Sequence, residues 1–454
     1  MRSELISRLT DLGSKTSVID ADRHYSAQEL LTAILEYESR LRAQQVRPRD
    51  VVVLNGDFSF DAITMLLALT LNGNIVLPTV NFSDTVRDTV TAHCHPQYLI
   101  RAEDGIDIAT LPPVDRAAAD LTYAQLGGDG AAGLVLLSSG STGAPKAILH
   151  NLDALVQEKL SKRPRLGHKA PSILLFLLFD HIGGINTLFN AVLGGSPAVI
   201  PGGRSPEEIC ELVEKHEIRV LPTTPTFLNL LLIGQFHRRY DLRSLRLITY
   251  GTEPMPAELL QRINEAVPRA KLLQTFGTSE TGISTTVSES SRSTFFKIED
   301  SDMQYRIVDG ELQLKSRTQF LGYLNYANES LTEDSWFKTG DLVELNQDGF
   351  LRVTGRAKEV VNVGGEKVLP LEVEAILMSS PMIEDCVAYG RPNAITGQSV
   401  WVDVKPADGF SRGEIRKHVV EFMSSRVERF KIPSKVNVVD SIEVSERFKK
   451  KRNL

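Results

Sequence analysis

The chain has 454 residues and a formal net charge of −6, from 51 Lys and Arg against 57 Asp and Glu. At roughly 150 residues per domain, this length excludes a single small core and allows three medium domains or one large and one small domain. The near balance of charge excludes a chain dedicated to binding nucleic acid or a membrane surface. Any phosphate group must therefore be bound by local groups.

Cysteine usage and hydropathy indicate the compartment. Cys94, Cys210 and Cys386 lie far apart, which argues against a disulfide framework and for a reducing environment. The longest apolar run, residues 173–179, is far shorter than the roughly 18 residues that a membrane span requires. We expect a cytoplasmic protein without a membrane span.

The first part of the chain alternates helical and strand patterns. Residues 26–45 have helical apolar spacing with Ser26 as N-cap, and residues 50–54 read as a strand. Helix and strand patterns follow at residues 60–73 and 74–79. This alternation predicts a parallel α/β sheet.

The same alternation continues downstream. Residues 172–179 predict a buried strand, residues 182–193 a helix and residues 198–200 another strand. Ser205, followed by Pro and two Glu, predicts the start of the next helix. The fold class is therefore α/β, with a large N-terminal domain of βαβ-type parallel sheets sandwiched by helices.

The pattern changes near residue 355. Short alternating runs now predict hairpins, with Gly364 and Gly365 in a tight turn. Helical patterns at residues 370–378 and 412–427 complete a small α+β domain. We place the large domain at residues 1–355 and the small C-terminal domain at residues 356–454.

Residues 134–146 (LVLLSSGSTGAPK) lead from an apolar strand into a loop of Gly, Ser and Thr. Such a loop presents backbone N–H groups and hydroxyls to phosphate oxygens, although it can also be a flexible connection. It is not a Walker A loop, because Pro145 precedes Lys146 and residues 147–149 read as a strand rather than a helix.

The segment SSGSTGAPKAILHN resembles the phosphate loop of the adenylate-forming superfamily, which includes acyl-CoA synthetases, adenylation domains and beetle luciferases. TFGTSE at residues 275–280 is similar to the second motif of that family, and TGD at residues 339–341 to the third. GRAKE at residues 355–359 and GGEKV at residues 364–368 resemble its hinge and second-step motifs. The resemblance covers nearly the whole chain.

The resemblance implies two sets of nucleotide-binding residues. The phosphate loop supplies Ser138, Ser139, Gly140, Ser141, Thr142, Gly143 and Lys146. Contacts to adenine, ribose and phosphate come from Gly251, Thr252, Phe276, Gly277, Thr278, Ser279, Asp341 and Arg356.

Several of these positions have a plain structural alternative. The resemblance makes Glu280 a ligand of Mg²⁺, which prefers oxygen, but a helix N-terminal carboxylate is the alternative. Phe276 stacks on adenine in the family, and it can equally be a core residue. Asp341 accepts from the ribose hydroxyls and Arg356 donates to ribose or phosphate, unless the two form a surface pair.

The C-terminus supplies the expected catalytic lysine. The spacing of residues 445–452 resembles the family's Thr-x-x-Gly-Lys-x-x-Arg motif and makes Lys449 the group that bridges carboxylate and α-phosphate. Phe448 replaces the usual Gly, and Lys450 and Lys451 are competing cations. A solvated basic tail is the alternative.

The resemblance also implies a moving small domain. Lys358 is the expected hinge, and Gly364 and Gly365 are the expected approach for a pantetheine thiol, unless they are only a hairpin turn.

Residues 179–184 (FDHIGG) resemble the family's acyl pocket. His181 is then a catalytic or pocket residue, unless it is an ordinary histidine. Ile182 stands where amino-acid-activating members have the Asp that binds the α-ammonium group. If the alignment shifts by two residues, Asp180 takes the place of that Asp. The apolar surroundings, at Ile185, Leu188, Phe189 and Ile283, favour an aryl or aliphatic acid.

His93, Cys94 and His95 do not predict a transition-metal site, because neighbours on a strand face opposite sides.

The sequence thus predicts an ATP- and Mg²⁺-dependent, AMP-forming acid–thiol ligase acting on a small carboxylic acid. The acceptor is CoA, with the phosphopantetheine of an acyl or peptidyl carrier protein as the alternative. The sequence is also compatible with a nucleotide-binding homologue whose chemistry is impaired, and with an enzyme whose acyl-AMP serves oxidation or amide transfer.

Overall fold

The structure of the protein is a computed structural model that describes residues 1–103, 105–112, 122–128, 130–138, 145–165, 170–445 and 448–452. Its helices are α1 (Arg2–Leu12), α2 (Ala27–Ala43), α3 (Phe60–Asn72), α4 (Asp84–Cys94), α5 (Leu152–Leu160), α6 (Ile182–Val192), α7 (Pro206–Lys215), α8 (Pro225–Ile233), α9 (Phe236–Arg239), α10 (Ala257–Ala266), α11 (Pro370–Met378) and α12 (Arg412–Ser424).

The strands are β1 (Thr16–Asp20), β2 (Arg23–Ser26), β3 (Val51–Asn55), β4 (Ile75–Thr79), β5 (Tyr98–Arg101), β6 (Asp107–Thr110), β7 (Gly133–Ser138), β8 (Lys146–Asn151), β9 (Ile173–Leu174), β10 (Ala198–Ile200), β11 (Val220–Thr223), β12 (Leu247–Tyr250), β13 (Lys271–Gln274), β14 (Phe276–Thr278), β15 (Gly282–Ser284), β16 (Thr286–Ser288), β17 (Phe296–Ile298), β18 (Met303–Val308), β19 (Glu311–Ser316), β20 (Gly322–Tyr323), β21 (Phe337–Leu345), β22 (Leu351–Arg356), β23 (Val361–Val363), β24 (Glu366–Val368), β25 (Ile383–Asn393), β26 (Gly397–Pro406) and β27 (Lys435–Val438).

The helix starts follow the predicted caps. Ser26 and Ser205 each form a capping box, in which the serine oxygen accepts an N–H three residues on and Glu29 or Glu208 reaches back to the serine N–H. These reciprocal bonds satisfy backbone donors that a helix start otherwise leaves open. The predictions of α2 and α7 are confirmed.

Contacts divide the chain into two units, the first comprising Met1–Pro222, Gly277–Ile283 and Lys315–Phe337. Its seven-stranded sheet has the order β20-β8-β7-β4-β3-β5-β6. Strands β7, β4, β3 and β5 run parallel, whereas β8, β6 and β20 pair antiparallel with their neighbours. A second group places β1, β10, β9 and β11 in parallel. One apolar core includes side chains of α1, α2, α3 and α6, as the α/β prediction requires.

The second unit comprises Thr223–Phe276, Ser284–Leu314 and Lys338–Leu454. It contains the parallel pair β12 and β13, a six-stranded sheet β16-β17-β22-β21-β19-β18, and the C-terminal sheet β24-β23-β26-β25 with β27 parallel to β26. The C-terminal sheet and helices α11 and α12 share a core of their own. The domain boundary at residue 355 and the hinge at Lys358 stay predictions.

One predicted strand is mostly wrong. Of residues 172–179, only Ile173–Leu174 forms a strand, and Leu175 donates one more bond to Val199. The chain then turns back along the start of α6, where a Cβ on Gly184 would lie 2.0 Å from the carbonyl oxygen of Leu178. Residues 173–176 and 179 are buried even though the segment does not continue the sheet beyond this point.

Two smaller predictions are corrected. His93 and Cys94 end α4 and His95 is its C-cap, so these residues do not form a strand. Helix α12 ends at Ser424, three residues before the predicted end.

Candidate active site

Glu280 lies in the turn between β14 and β15 in the first unit. The hydroxyl oxygen of Thr278 accepts the N–H groups of Glu280 at 3.2 Å and of Thr281 at 3.1 Å. The Glu280 carbonyl oxygen accepts the N–H of Phe320 at 2.6 Å. The Tyr323 hydroxyl donates to Glu280 Oε1 at 2.8 Å. These hydrogen bonds orient both the backbone and the carboxylate of Glu280.

Tyr323 also connects Glu280 to Lys146. Its side chain is buried, and burial together with the Glu280 charge raises the pKa of Tyr323, so the phenol remains a hydrogen-bond donor. The Lys146 ammonium lies 4.6 Å from the Tyr323 ring centroid and 5.7 Å from that of Tyr326, within cation–π range. A carboxylate and a cation thus share one aromatic support.

The ends of the predicted phosphate loop are paired. Ser138 and Lys146 are partners in the antiparallel β7–β8 ladder. The Asn325 amide donates to the Pro145 carbonyl at 2.7 Å, and its oxygen accepts the Ala147 N–H at 2.9 Å. These bonds fix where β8 begins. The expectations for Ser139, Gly140, Ser141, Thr142 and Gly143 lie outside the described residues.

A buried histidine supports the Glu280 turn from β8. His150 Nε2 lies 2.7 Å from the carbonyl oxygen of Ser279. Burial lowers the pKa of His150 to about 4, so the ring is neutral at pH 7. Because a carbonyl only accepts, the proton is on Nε2. The sequence alone did not single out His150, since no local pattern reveals a partner 129 residues away.

The Glu280 turn suits a magnesium ion. Its metal-binding group is the Glu280 carboxylate, a hard oxygen ligand, since the Thr278 hydroxyl oxygen already accepts two N–H groups. Mg²⁺ usually keeps several waters and takes one or two protein carboxylates together with substrate phosphates, so one oriented carboxylate is sufficient. Among the described residues, no group of three or more His, Cys, Asp or Glu forms a complete metal cage.

Asp341 and Arg356 meet in the second unit. They are partners across β21 and β22, and Arg356 Nε lies 3.0 Å from Asp341 Oδ1. Asp341 is 6% exposed, and burial raises its pKa while the Arg356 charge partly opposes that rise. Gly340, with a φ of 74°, donates to Glu311 at 2.8 Å, so this turn favours glycine. The Thr-Gly-Asp motif therefore presents a carboxylate from a bent strand.

The other predicted adenine contacts surround β12 and β14. Gly251 packs so closely that a Cβ would lie 2.8 Å from the Thr275 carbonyl oxygen, and Thr252 is exposed with a φ of 71°. Phe276 is buried and stacks on Phe296 at 5.7 Å, so it is a core residue. Gly277 also tolerates no side chain, because a Cβ would lie 2.2 Å from the Gly282 carbonyl oxygen. An adenine contact from Phe276 stays a prediction.

The lysines at the C-terminus separate into different roles. Lys450 Nζ pairs with the Asp385 carboxylate and donates to the Cys386 carbonyl at 2.9 Å. Burial lowers the pKa of Lys450, but nearby acidic groups, Asp385 first, outweigh it and the pKa rises. Burial raises the pKa of Asp341 and of Glu253; the charge of Lys449 partly opposes both rises, and the charge of Lys450 also opposes that of Glu253. Lys450 is therefore bound to the C-terminal sheet, and the catalytic role of Lys449 stays a prediction.

Arg452 makes a second fixed contact. Its guanidinium lies 3.0 Å from Glu374 on α11 and 3.2 Å from Glu359. The acidic neighbours outweigh burial, and the pKa of Arg452 rises. The segment is therefore not a solvated tail.

The predicted acyl-pocket residues divide between a helix cap and the core. His181 is the N-cap of α6, and its Nδ1 accepts the Gly183 N–H at 3.3 Å. Ile185, Leu188 and Phe189 are buried in the main core, and Ile283 is only partly buried. Of these four apolar residues, Ile283 is the one with surface left to offer a substrate.

The expected hinge and thiol approach are on the surface. Lys358 is exposed in a 3₁₀ turn at Ala357–Glu359. Gly364 and Gly365, with φ values of 64° and 96°, form the tight turn between β23 and β24. The hairpin is confirmed, and the thiol role stays a prediction.

Comparison with known proteins assigns the chain to a family. Residues 8–324 match the AMP-binding enzyme family, and residues 372–449 match the C-terminal domain of AMP-binding enzymes. The chain belongs to the AMP-binding enzyme family. The resemblance to the adenylate-forming superfamily is thereby confirmed.

Curated relatives of this AMP-binding enzyme include CoA ligases. The peroxisomal OPC-8:0-CoA ligase 1 of Arabidopsis thaliana is 32% identical over 68% of this chain and 60% of its own length. The chain thus spans less than two thirds of that relative. The 2-succinylbenzoate–CoA ligase of Listeria monocytogenes is 24% identical over 97% of this chain and 95% of its own.

A solved structure shows the same fold. The o-succinylbenzoate CoA synthetase of Bacillus subtilis, in complex with its acyl-adenylate intermediate, superposes with a TM-score of 0.75 at 21% identity. The match covers 99% of this chain and 96% of that one. Among the described residues of this AMP-binding enzyme, none of the helices combines the length and apolarity of a membrane crossing.

Proposed function

We propose that this AMP-binding enzyme is an AMP-forming acid–thiol ligase. It activates an aryl or aliphatic carboxylic acid with Mg-ATP and transfers the acyl group to a pantetheine thiol. The carrying observation is the Glu280 turn, whose carboxylate accepts the Tyr323 hydroxyl at 2.8 Å, while the Lys146 ammonium lies 4.6 Å from the centroid of the same ring. A carboxylate that suits a metal ion and a cation that suits phosphate are thereby brought together.

The proposed reaction has two steps. A carboxylate oxygen attacks the α-phosphorus of ATP, the bond from that phosphorus to the bridging oxygen breaks, and pyrophosphate leaves with both electrons. The thiolate sulfur then attacks the acyl carbon, and AMP leaves. A bound Mg²⁺ would neutralise charge that builds up on the phosphates.

Each proposed role follows from the local environment. Glu280, oriented by Tyr323, holds the metal, and Lys146 binds phosphate oxygens. Lys449 stabilises the charge that develops at the α-phosphorus. Asp341 accepts from ribose hydroxyls, which suits a carboxylate with two acceptor oxygens. Arg356 is both its partner and a donor to the nucleotide.

CoA is the acceptor that the comparisons favour, because the relatives described above are CoA ligases by name. The exposed Gly364–Gly365 turn would admit a narrow pantetheine arm. The phosphopantetheine of a carrier protein has the same thiol chemistry. We also propose a cytoplasmic location, which the three free cysteines support.

The test is a two-stage assay of the purified full chain. ATP–pyrophosphate exchange is measured with benzoate, cinnamate, phenylacetate, 2-succinylbenzoate and octanoate, with glycine and phenylalanine as amino-acid controls. The best acid is then offered with CoA or with a phosphopantetheinylated carrier protein, and the thioester is detected by mass spectrometry. Exchange with an aryl or aliphatic acid and a CoA thioester are expected. ATP binding without exchange for any acid would select the nucleotide-binding homologue instead.

A further inference from the structure

Phe448, the residue before Lys449, has an unusual backbone. Its φ is 50°, in the left-handed region that bulky side chains rarely adopt. Strained conformations of this kind persist only where surrounding contacts impose them. The contacts of Phe448 therefore identify what holds this segment in place.

Phe448 is attached to the start of α8 by its ring and its carbonyl group. The ring meets Phe227 edge to face, with centroids 5.6 Å apart and an interplanar angle of 88°. The Phe448 carbonyl oxygen accepts the Thr224 hydroxyl at 2.9 Å. Its N–H donates to the Ser445 carbonyl at 2.9 Å and closes the turn. Three separate contacts thus impose the strained backbone.

The surface of α8 that Phe448 contacts is rigid. Thr224 is the N-cap of α8, and its hydroxyl oxygen also accepts the Phe227 N–H at 3.1 Å. Phe227 is fully buried. The Glu253 carboxylate accepts the Thr226 N–H at 2.6 Å in the same turn. Phe448 therefore contacts a capped helix end that has little freedom to follow it.

Lys449 lies in the turn that Phe448 closes. Its N–H donates to the Ser445 hydroxyl oxygen at 3.3 Å, and its carbonyl oxygen accepts the Ser445 N–H at 2.8 Å. Beyond it, Lys450 and Arg452 both bind carboxylates of the small domain. Phe448 contacts α8 and adjoins Lys449 directly, so this contact positions the backbone of the lysine.

We propose that Phe448 is a positioning residue for Lys449. Its ring and carbonyl hold the segment against α8, and this contact favours adenylate formation over thioester formation. The inference rests on the proposed function, since it assigns Lys449 to the first step only. An edge-to-face aromatic pair changes an equilibrium by a factor of about two to ten. The same factor is expected in the balance between the two steps.

The experiment compares Phe448→Gly with wild type and with the control Phe410→Gly, which removes an exposed ring. Adenylate formation is followed by ATP–pyrophosphate exchange with the best acid of the panel. Thioester formation is followed separately from the synthetic adenylate of that acid and CoA. Amide hydrogen exchange of residues 440–452 is measured on the substrate-free protein.

Phe448→Gly should lower kcat for exchange by about two- to tenfold and leave KM for ATP unchanged. Thioester formation from the supplied adenylate should stay the same or rise, amide exchange of residues 440–452 should accelerate, and Phe410→Gly should match wild type. Equal losses in both steps, or unchanged amide exchange, would overturn the proposal. Wild type without exchange for any acid would defeat the proposed function, while the amide-exchange result would still decide whether Phe448 is an anchor.

Discussion

The turn that carries Glu280 and the segment that carries Lys449 are held in place by different forces. Thr278, Tyr323 and His150 support the Glu280 turn with hydrogen bonds from uncharged groups. The Lys449 segment relies on the ion pairs of Lys450 and Arg452, on the ring contact of Phe448 and on the hydrogen bond from Thr224 to the Phe448 carbonyl. The second region therefore depends on largely buried ion pairs, whose charges lose their hydration on folding.

This difference matches the proposed roles. A metal ligand that serves the nucleotide should stay fixed, and a catalytic lysine needed for one step should be on a segment that can leave. Buried ion pairs give small net stability because desolvation opposes their attraction. They therefore favour one position of the Lys449 segment without preventing it from moving. Variants of the Glu280 turn and variants of the Lys449 segment should therefore lose activity or stability for different reasons.

Lys449→Ala should give the largest effect. Loss of the cation at the α-phosphorus should lower pyrophosphate exchange on the order of 10³-fold. Thioester formation from a supplied adenylate should be largely retained. The control is Lys451→Ala, which removes an exposed cation two residues away and should be neutral. If Lys451→Ala lost exchange and Lys449→Ala kept it, the assignment of the lysines would be wrong.

Lys450→Met should destabilise the small domain by about 3 kcal/mol, because it leaves the buried Asp385 carboxylate without its ion-pair partner. Urea unfolding followed by circular dichroism measures this change. The double variant Lys450→Met with Asp385→Leu should recover most of the loss, since both charges are then removed. A double variant as unstable as the single one would show that charge pairing is not the cause.

Glu280→Gln should reduce exchange by on the order of 10²-fold and raise the Mg²⁺ concentration needed for half-maximal rate. Tyr323→Phe keeps the carboxylate and removes one charge-assisted bond, so a loss of about tenfold is expected. Titration of exchange against Mg²⁺ separates the two variants. The metal assignment fails if Glu280→Gln keeps the wild-type Mg²⁺ dependence.

His150→Gln should have the smallest effect on exchange at pH 7, and its main effect should be on how stability depends on pH. Since burial lowers the folded-state pKa of His150 to about 4, the unfolded chain binds more protons between pH 6.5 and 4. Stability should therefore fall as the pH drops through that range, at most by about 1.4 kcal/mol per pH unit. Gln keeps a donor for Ser279 without titrating, so its stability should fall less. Identical slopes from urea unfolding at several pH values would contradict this.

Much of the fold could be predicted from local chemistry. The helix N-caps at Ser26 and Ser205, the Gly364–Gly365 hairpin and helix α11 were correctly predicted because each depends on neighbours a few residues apart. The strand predicted over residues 172–179 failed because an apolar run does not reveal where a strand ends, and here the backbone turns against Gly184, six residues beyond Leu178.

The candidate site shows the same distinction between local motifs, which the sequence predicts, and distant partners, which it does not. Glu280, Asp341 and Lys449 were predicted from motif spacing, and their structural partners were not. Tyr323 lies 43 residues from Glu280 and Asp385 lies 65 from Lys450, so only the fold brings each pair together. Phe448 carried a signal, since it replaces a glycine, but its contact with Phe227 appears only in three dimensions.

The most direct test of adenylate formation follows oxygen atoms. The best acid of the panel is labelled with ¹⁸O in both carboxylate oxygens and allowed to react with ATP and CoA. Because a carboxylate oxygen attacks the α-phosphorus, we expect one ¹⁸O in the AMP product and none in pyrophosphate. Unlabelled AMP, or label in released inorganic phosphate with ADP as the nucleotide product, would contradict adenylate formation.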